Sequence, residues 1–245
     1  MPVIIAIIGL AASLLINYLA DVLPETYSFS KVKCKNCDHG YSLKEYLLFQ
    51  NCPSCNTRRS IRSYVFPFVM ILVFLGLSLF PPKTLNLIPA LSITAYFSLV
   101  LIIDLERKEV LLNLSLVGAA LGLVIGTIYH GILITLMGGA AGALIMLALY
   151  LLGKVFVKIM SKVKQQEIDE VALGMGDVYV SLIIGLFLGW PVILFGLLLA
   201  ILAGGLISGL IIFFSALRKS YSPFTAIPYT PFLILATCVL LYVMK

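Results

Sequence analysis

The stretch Leu85–Asp104, LNLIPALSITAYFSLVLIID, carries no charge until its last residue. A run of about 20 mostly apolar residues is the length that crosses the hydrocarbon core of a bilayer as a helix. Runs of the same kind recur at 2–22, 63–81, 109–129, 131–153, 175–190, 191–215 and 226–244, so the chain reads as about eight transmembrane helices. Composition agrees. Of the 245 residues, 61% are hydrophobic and 11% charged, whereas a soluble domain is about half apolar and a quarter charged. The expected fold is all-α, a polytopic helical bundle whose solvent is the lipid bilayer. The run from Pro2 to Ala20 reads as the first span and not as a signal peptide, because no positive segment precedes it and further spans follow.

The charges give the orientation. The net charge is +6, but the basic residues fall in short clusters between spans and form no single face, which speaks for topology and against a nucleic-acid partner. With the long polar segment 23–62 placed in the cytoplasm, alternation of the spans puts all of the 17 basic residues there except Lys83 and Lys245. All 11 acids fall on the same side. Chemistry that needs ionisable groups is therefore expected at the cytoplasmic face.

Two acids stand apart. Asp104 closes the third apolar run and Asp177 opens the sixth, in Gly174-Met175-Gly176-Asp177. The topology puts both at one depth, and an ionisable residue at the edge of a span is a functional candidate. An Asp near a helix end is often only a solvated boundary residue or a cap. Glu106 and Glu109, in a polar turn with Arg107 and Lys108, fit that description better than Asp104 does. If Asp104 and Asp177 meet, they share one proton, so one can activate a water while the other donates to a peptide carbonyl. Gly174 and Gly176 lack Cβ atoms and let backbone or substrate approach the carboxylate.

The polar segment carries Cys34-x-x-Cys37 and Cys52-x-x-Cys55. Two such pairs match a tetrahedral four-thiolate zinc site of the closed, structural kind. Gly40 suits the turn around the metal, and the nearby Lys31, Lys33, Lys35, Arg58 and Arg59 are expected to serve topology and contact with anionic headgroups. His39 reads as a solvated loop residue. Gly138-x-x-x-Gly142, Gly185-x-x-x-Gly189 and Gly205-x-x-x-Gly209 read as close helix contacts within the bundle. Asn17 and Asn113 are expected to hydrogen-bond between helices, Cys238 to be a buried small residue, Pro228 and Pro231 to open the last helix, and residues 161–173 to form a polar lead-in to Asp177.

The pair IIDLE (102–106) and GMGD (174–177) resembles the type IV prepilin peptidases, members of the GxGD aspartyl proteases. SLLINYLADVLP (13–24), the run 174–190 and IPYTPFL (227–233) are similar to further family motifs, so that the resemblance covers nearly the whole chain. It departs at Glu109–Asn113, which has no proline, at Tyr179, where a lysine is common, and at Val22, where an arginine is common. The resemblance implies catalytic roles for Asp104 and Asp177 and cleavage of the leader of a type IV prepilin or pseudopilin in the inner (cytoplasmic) membrane. It also implies N-methylation of the new amino terminus with S-adenosylmethionine. The organisation expected is a first helix over 1–22, a cytoplasmic zinc-binding segment over 23–62 and a membrane-embedded aspartyl protease core over 63–245. The alternative is a non-enzymatic zinc-containing membrane scaffold of a pilus or secretion assembly, which needs the cysteines but not both aspartates.

Overall fold

The computed structural model of the chain describes residues 2–27, 29–34, 36–164, 173–217 and 228–243. The polar lead-in expected over 161–173 lies largely outside the described residues, as do Lys35 and Ile227. In chain order the helices are α1 (Pro2–Thr26), α2 (Leu43–Leu47), α3 (Ile61–Leu79), α4 (Leu87–Arg107), α5 (Leu112–His130), α6 (Ile132–Lys164), α7 (Met175–Leu188), α8 (Val192–Leu217) and α9 (Thr230–Val243). Each span read from the sequence corresponds to one of these, α2 being a short addition. The fold is all-α, with an isolated antiparallel bridge between Lys33 and Gly40.

Among the described residues six helices, α1, α3, α4, α5, α6 and α8, are long and apolar enough to cross a membrane. Their surfaces show what solvent they need. In the most enclosed of them, α4, only 44% of the apolar window is buried within the protein. An apolar helix left so uncovered is stable only against lipid, and its backbone polar groups are all satisfied within the helix. This is a multi-pass membrane protein. The remaining two, α7 and α9, have 14 residues each. They rise about 21 Å, less than the ~30 Å hydrocarbon thickness, and are shorter than the runs 175–190 and 226–244 suggested. Gly189 ends α7 with a left-handed φ of 71°, while Pro231 lies in the first turn of α9, as expected, where its missing N–H has no intrahelical acceptor to lose.

The chain divides into two compact units, residues 1–103 and 104–245. In the first, α1 packs on α3. A Cβ on Gly9 would lie 3.3 Å from the Ile71 Cα and the Phe74 Cβ, so the small residue sets the closeness of the pair. Asn17 is fully buried here, but neither its amide nitrogen nor its oxygen has a partner among the described residues, so the expected interhelical hydrogen bond is not made.

In the second unit α7 is the central element, packed by α5, α6, α8 and α9. Its residues from Ile183 to Leu188 are all buried, which is why it reads as apolar all round. The glycine pairs behave as expected on α6 and α7. A Cβ on Gly138 would strike the Gly185 carbonyl, one on Gly185 would strike the Gly138 carbonyl, and one on Gly142 would strike the Ser181 carbonyl. Gly205 and Gly209 have nothing within 4 Å among the described residues and make no such seam. Cys238, expected to be buried, is exposed on α9. A soft apolar side chain gains no burial within the protein when the surrounding medium is itself apolar.

Candidate functional site

The carboxylate cluster lies in the second unit and is assembled from three chain segments. The last turn of α4 supplies Asp104, the first turn of α7 supplies Asp177, and the first residue of α9 supplies Thr230. Asp104 is 6% exposed, Asp177 7% and Thr230 0%. The two carboxyl groups are close enough to interact electrostatically.

Local sequence explains how Asp177 is held. Gly174 is the N-cap of α7 and has no side chain to satisfy the free N–H groups of the first turn. Asp177 reaches back instead, its Oδ2 accepting from the Gly174 N–H at 2.9 Å, while the Asp177 N–H donates to the Gly174 carbonyl at 3.2 Å. Its negative charge also suits the positive end of the helix dipole. Oδ1 accepts from the Thr230 hydroxyl at 3.2 Å. The Asp104 Oδ2 is buried and has no partner among the described residues.

The two glycines differ. A Cβ on Gly176 would lie 2.6 Å from the Val110 Cγ2, so the segment after α4 seats against α7 only because that position is bare. A Cβ on Gly174 would meet nothing closer than 3.8 Å, and its φ of −91° is open to any residue. Gly176 thus serves close packing of the chain's own Val110, and Gly174 serves through its N–H.

Tyr229 and Thr230 lie within the stretch IPYTPFL (227–233), and nothing in their residue types alone marks them as site residues. Tyr229 lies beside Asp177 closely enough to feel its charge, its hydroxyl is buried with no partner among the described residues, and its ring packs on Phe232 at 6.1 Å. The available signal was a pair of hydroxyl-bearing residues between two prolines at the start of an apolar run.

The cysteine cluster is in the first unit. The four Sγ atoms lie within 4.8 Å of one another, with Cys34–Cys55 at 3.6 Å and Cys37–Cys52 at 3.4 Å. Four thiolates on a tetrahedral zinc at about 2.3 Å would stand about 3.8 Å apart, so the set fits that ion. Two similar turns form it. The Cys34 N–H donates to the His39 carbonyl and the Asp38 N–H to the Cys34 carbonyl, while the Cys52 N–H donates to the Thr57 carbonyl and the Asn56 N–H to the Cys52 carbonyl. The residue after each pair, Asp38 (φ 55°) or Asn56 (φ 53°), takes the left-handed conformation that Asp and Asn tolerate best after glycine. Gly40, to which the sequence reading gave that turn, lies instead in the bridge to Lys33. The Thr57 hydroxyl, 3.0 Å from the Cys55 Sγ, and then the Thr57 backbone hold that thiol down to about 6, favouring the thiolate that binds metal.

This knuckle is docked on the end of α1. Cys34 and Cys52 share a small core with Val22, Val32, Tyr41 and Tyr46, with Tyr18 packed against it. The Arg59 guanidinium lies 4.8 Å from the Tyr41 ring centre and 4.0 Å from that of Tyr46 and donates to the Tyr46 carbonyl. Arg59 is therefore a packing residue of the knuckle, while Lys31, Lys33 and Arg58 are exposed. The Tyr46 hydroxyl donates to Asp21, which also pairs with Arg62. His39 stands 3.9 Å from Glu45 and edge-on to Tyr41.

Residues 91–209 match the type IV leader peptidase family. The resemblance drawn from the motifs is thus borne out, and with the apolar helices it supports a membrane prepilin peptidase. The matched segment includes Asp104, Gly174, Gly176 and Asp177 and leaves out the four cysteines, Tyr229 and Thr230. A leader peptidase of this family acts on prepilin substrates from within a lipid bilayer. No curated protein and no solved structure matches the chain.

Proposed function

We propose that this leader peptidase is an aspartyl endopeptidase that removes the leader of type IV prepilins or pseudopilins at the cytoplasmic face of the inner membrane. The observation that carries the reading is that Asp104 and Asp177, both buried, lie near enough for their charges to interact, in a chain with only 11 acids. Two carboxyl groups so placed hold one proton between them. The ionised member takes a proton from water, the water oxygen bonds to the scissile carbonyl carbon, and the protonated member gives its proton to the carbonyl oxygen. Collapse of that adduct breaks the C–N bond, with the proton returned to the departing amine. The Asp104 Oδ2 and the Tyr229 hydroxyl, both without partners among the described residues, are the open hydrogen-bonding positions for the peptide.

The basic clusters support a cytoplasmic site by the positive-inside rule. A prepilin's apolar helix suits the lipid, and its basic leader suits the acids on that side. The cysteines are proposed as a structural zinc site, since four thiolates leave no open position for hydrolysis. N-methylation of the new amino terminus with S-adenosylmethionine as co-substrate rests on the family resemblance, and mass spectrometry of the mature pilin terminus tests it: an unmethylated terminus with donor present removes that half.

Asp104→Asn and Asp177→Asn, each expressed with a prepilin, test the peptidase reading. Both are expected to leave the leader uncut. Normal processing by either variant would mean that the aspartyl mechanism fails.

A further inference from the structure

We propose that Thr230 is a positioning residue for the carboxylate site, its hydroxyl donating to Asp177 and holding that carboxylate in the orientation that hydrolysis requires. The proposal rests on the aspartyl-peptidase reading and adds a residue that lies outside the family match.

Three observations carry it. Thr230 is completely buried, and its Oγ1 donates to the Asp177 Oδ1 at 3.2 Å across 53 residues of chain. A threonine at the start of a helix ordinarily turns its hydroxyl to its own backbone, as a cap or toward a carbonyl one turn back. Thr237, later on α9, does this with the Leu233 carbonyl. Thr230 turns to the Asp177 carboxylate instead. Asp104, also buried, lies near enough to Asp177 for their charges to interact, so the hydroxyl sits at the carboxylate site.

The chemistry of a hydroxyl suits that place. It has one proton to give and two lone pairs to accept with. Given to the Asp177 Oδ1, that proton fixes the rotation of the carboxylate. With the Gly174 N–H on Oδ2 and Thr230 on Oδ1, both oxygens of Asp177 are held. The Asp104 Oδ2 is left open, and a substrate group can meet it. Neither valine nor alanine can act in this way. Serine can.

The test uses the full-length enzyme in proteoliposomes with a synthetic prepilin, comparing Thr230→Val, Thr230→Ser and Thr230→Ala. The Val variant keeps the branched shape and loses the hydroxyl. It is expected to lower kcat by roughly 10- to 100-fold, the worth of a hydrogen bond to a charged group, with KM within about twofold of the parent. The Ala variant is expected to follow Val, and the Ser variant to recover most of kcat. Equal loss in Ser and Val, a change confined to KM, or parental kcat in Val would each overturn the assignment. Loss of activity in Asp177→Asn beside normal turnover in Thr230→Val would overturn this proposal alone. Full activity in Asp177→Asn would overturn the peptidase reading as well.

Discussion

The cysteine knuckle and the carboxylate cluster are built in opposite ways. The knuckle is local: all four thiols come from residues 34–55, each pair is chelating by itself, and two near-identical turns bring the pairs together. The carboxylate cluster draws one residue from each of three segments separated by whole helices. The knuckle closes on itself, whereas the cluster leaves polar atoms of Asp104 and Tyr229 without partners. A structural site satisfies its donors, and a site that works on another molecule keeps some of them open.

That contrast can be broken most severely at the carboxylates. Removing general acid–base function by Asp104→Asn or Asp177→Asn is expected to lower prepilin cleavage by ~10²–10⁴-fold, read as the ratio of cut to uncut prepilin on a gel, while zinc content by elemental analysis stays at the parental level. Full zinc loss in either variant would show the two sites to be coupled. The converse is Cys34→Ser with Cys52→Ser. This pair should release the metal and unfold the knuckle, since structural zinc binding supplies about 10 kcal/mol or more in small metal-dependent folds. Limited proteolysis is expected to cut within 29–60, with Asp104 and Asp177 still able to process substrate at a reduced rate.

A third test separates the two glycines. Gly176→Val would press on Val110, an overpacking that costs about 1–3 kcal/mol, and should lower the thermal midpoint in detergent. Gly174→Ala has room and an ordinary φ and should leave that midpoint nearly unchanged. If the two variants behave alike, packing is not what distinguishes them. The smallest effect is expected from Arg59→Ala, which removes a guanidinium from between two tyrosine rings. The loss is about 1–2 kcal/mol, measured as faster zinc release to a chelator with cleavage unaffected.

The same contrast governs what the sequence could disclose. Spans were legible because hydrocarbon demands long uncharged runs, and the knuckle was legible because its ligands recur at a fixed short spacing. Asp104 and Asp177 stood out as rare charges at the edge of apolar runs. Thr230 did not, because a threonine opening a helix has an ordinary capping role and only the fold shows its hydroxyl turned to an acid 53 positions away. Gly40 was given the turn that Asp38 and Asn56 take, since composition alone points to glycine where a left-handed residue is needed. Cys238 was misplaced for a different reason: in lipid an apolar residue has no need to turn inward.

The seam between α6 and α7 bears on how a substrate enters. At Gly138 and Gly185 the two backbones touch with no side chain between them. Surfaces that interlock so closely do not slide past one another. Asp177 therefore stands on a helix whose place is set by its neighbour. Thr230 stands on another element, α9, which packs on α7 and α8 and adds the hydroxyl bond to Asp177. Room for a foreign helix then has to come from somewhere other than the α6–α7 seam, so the catalytic carboxylate keeps its footing while the substrate is seated.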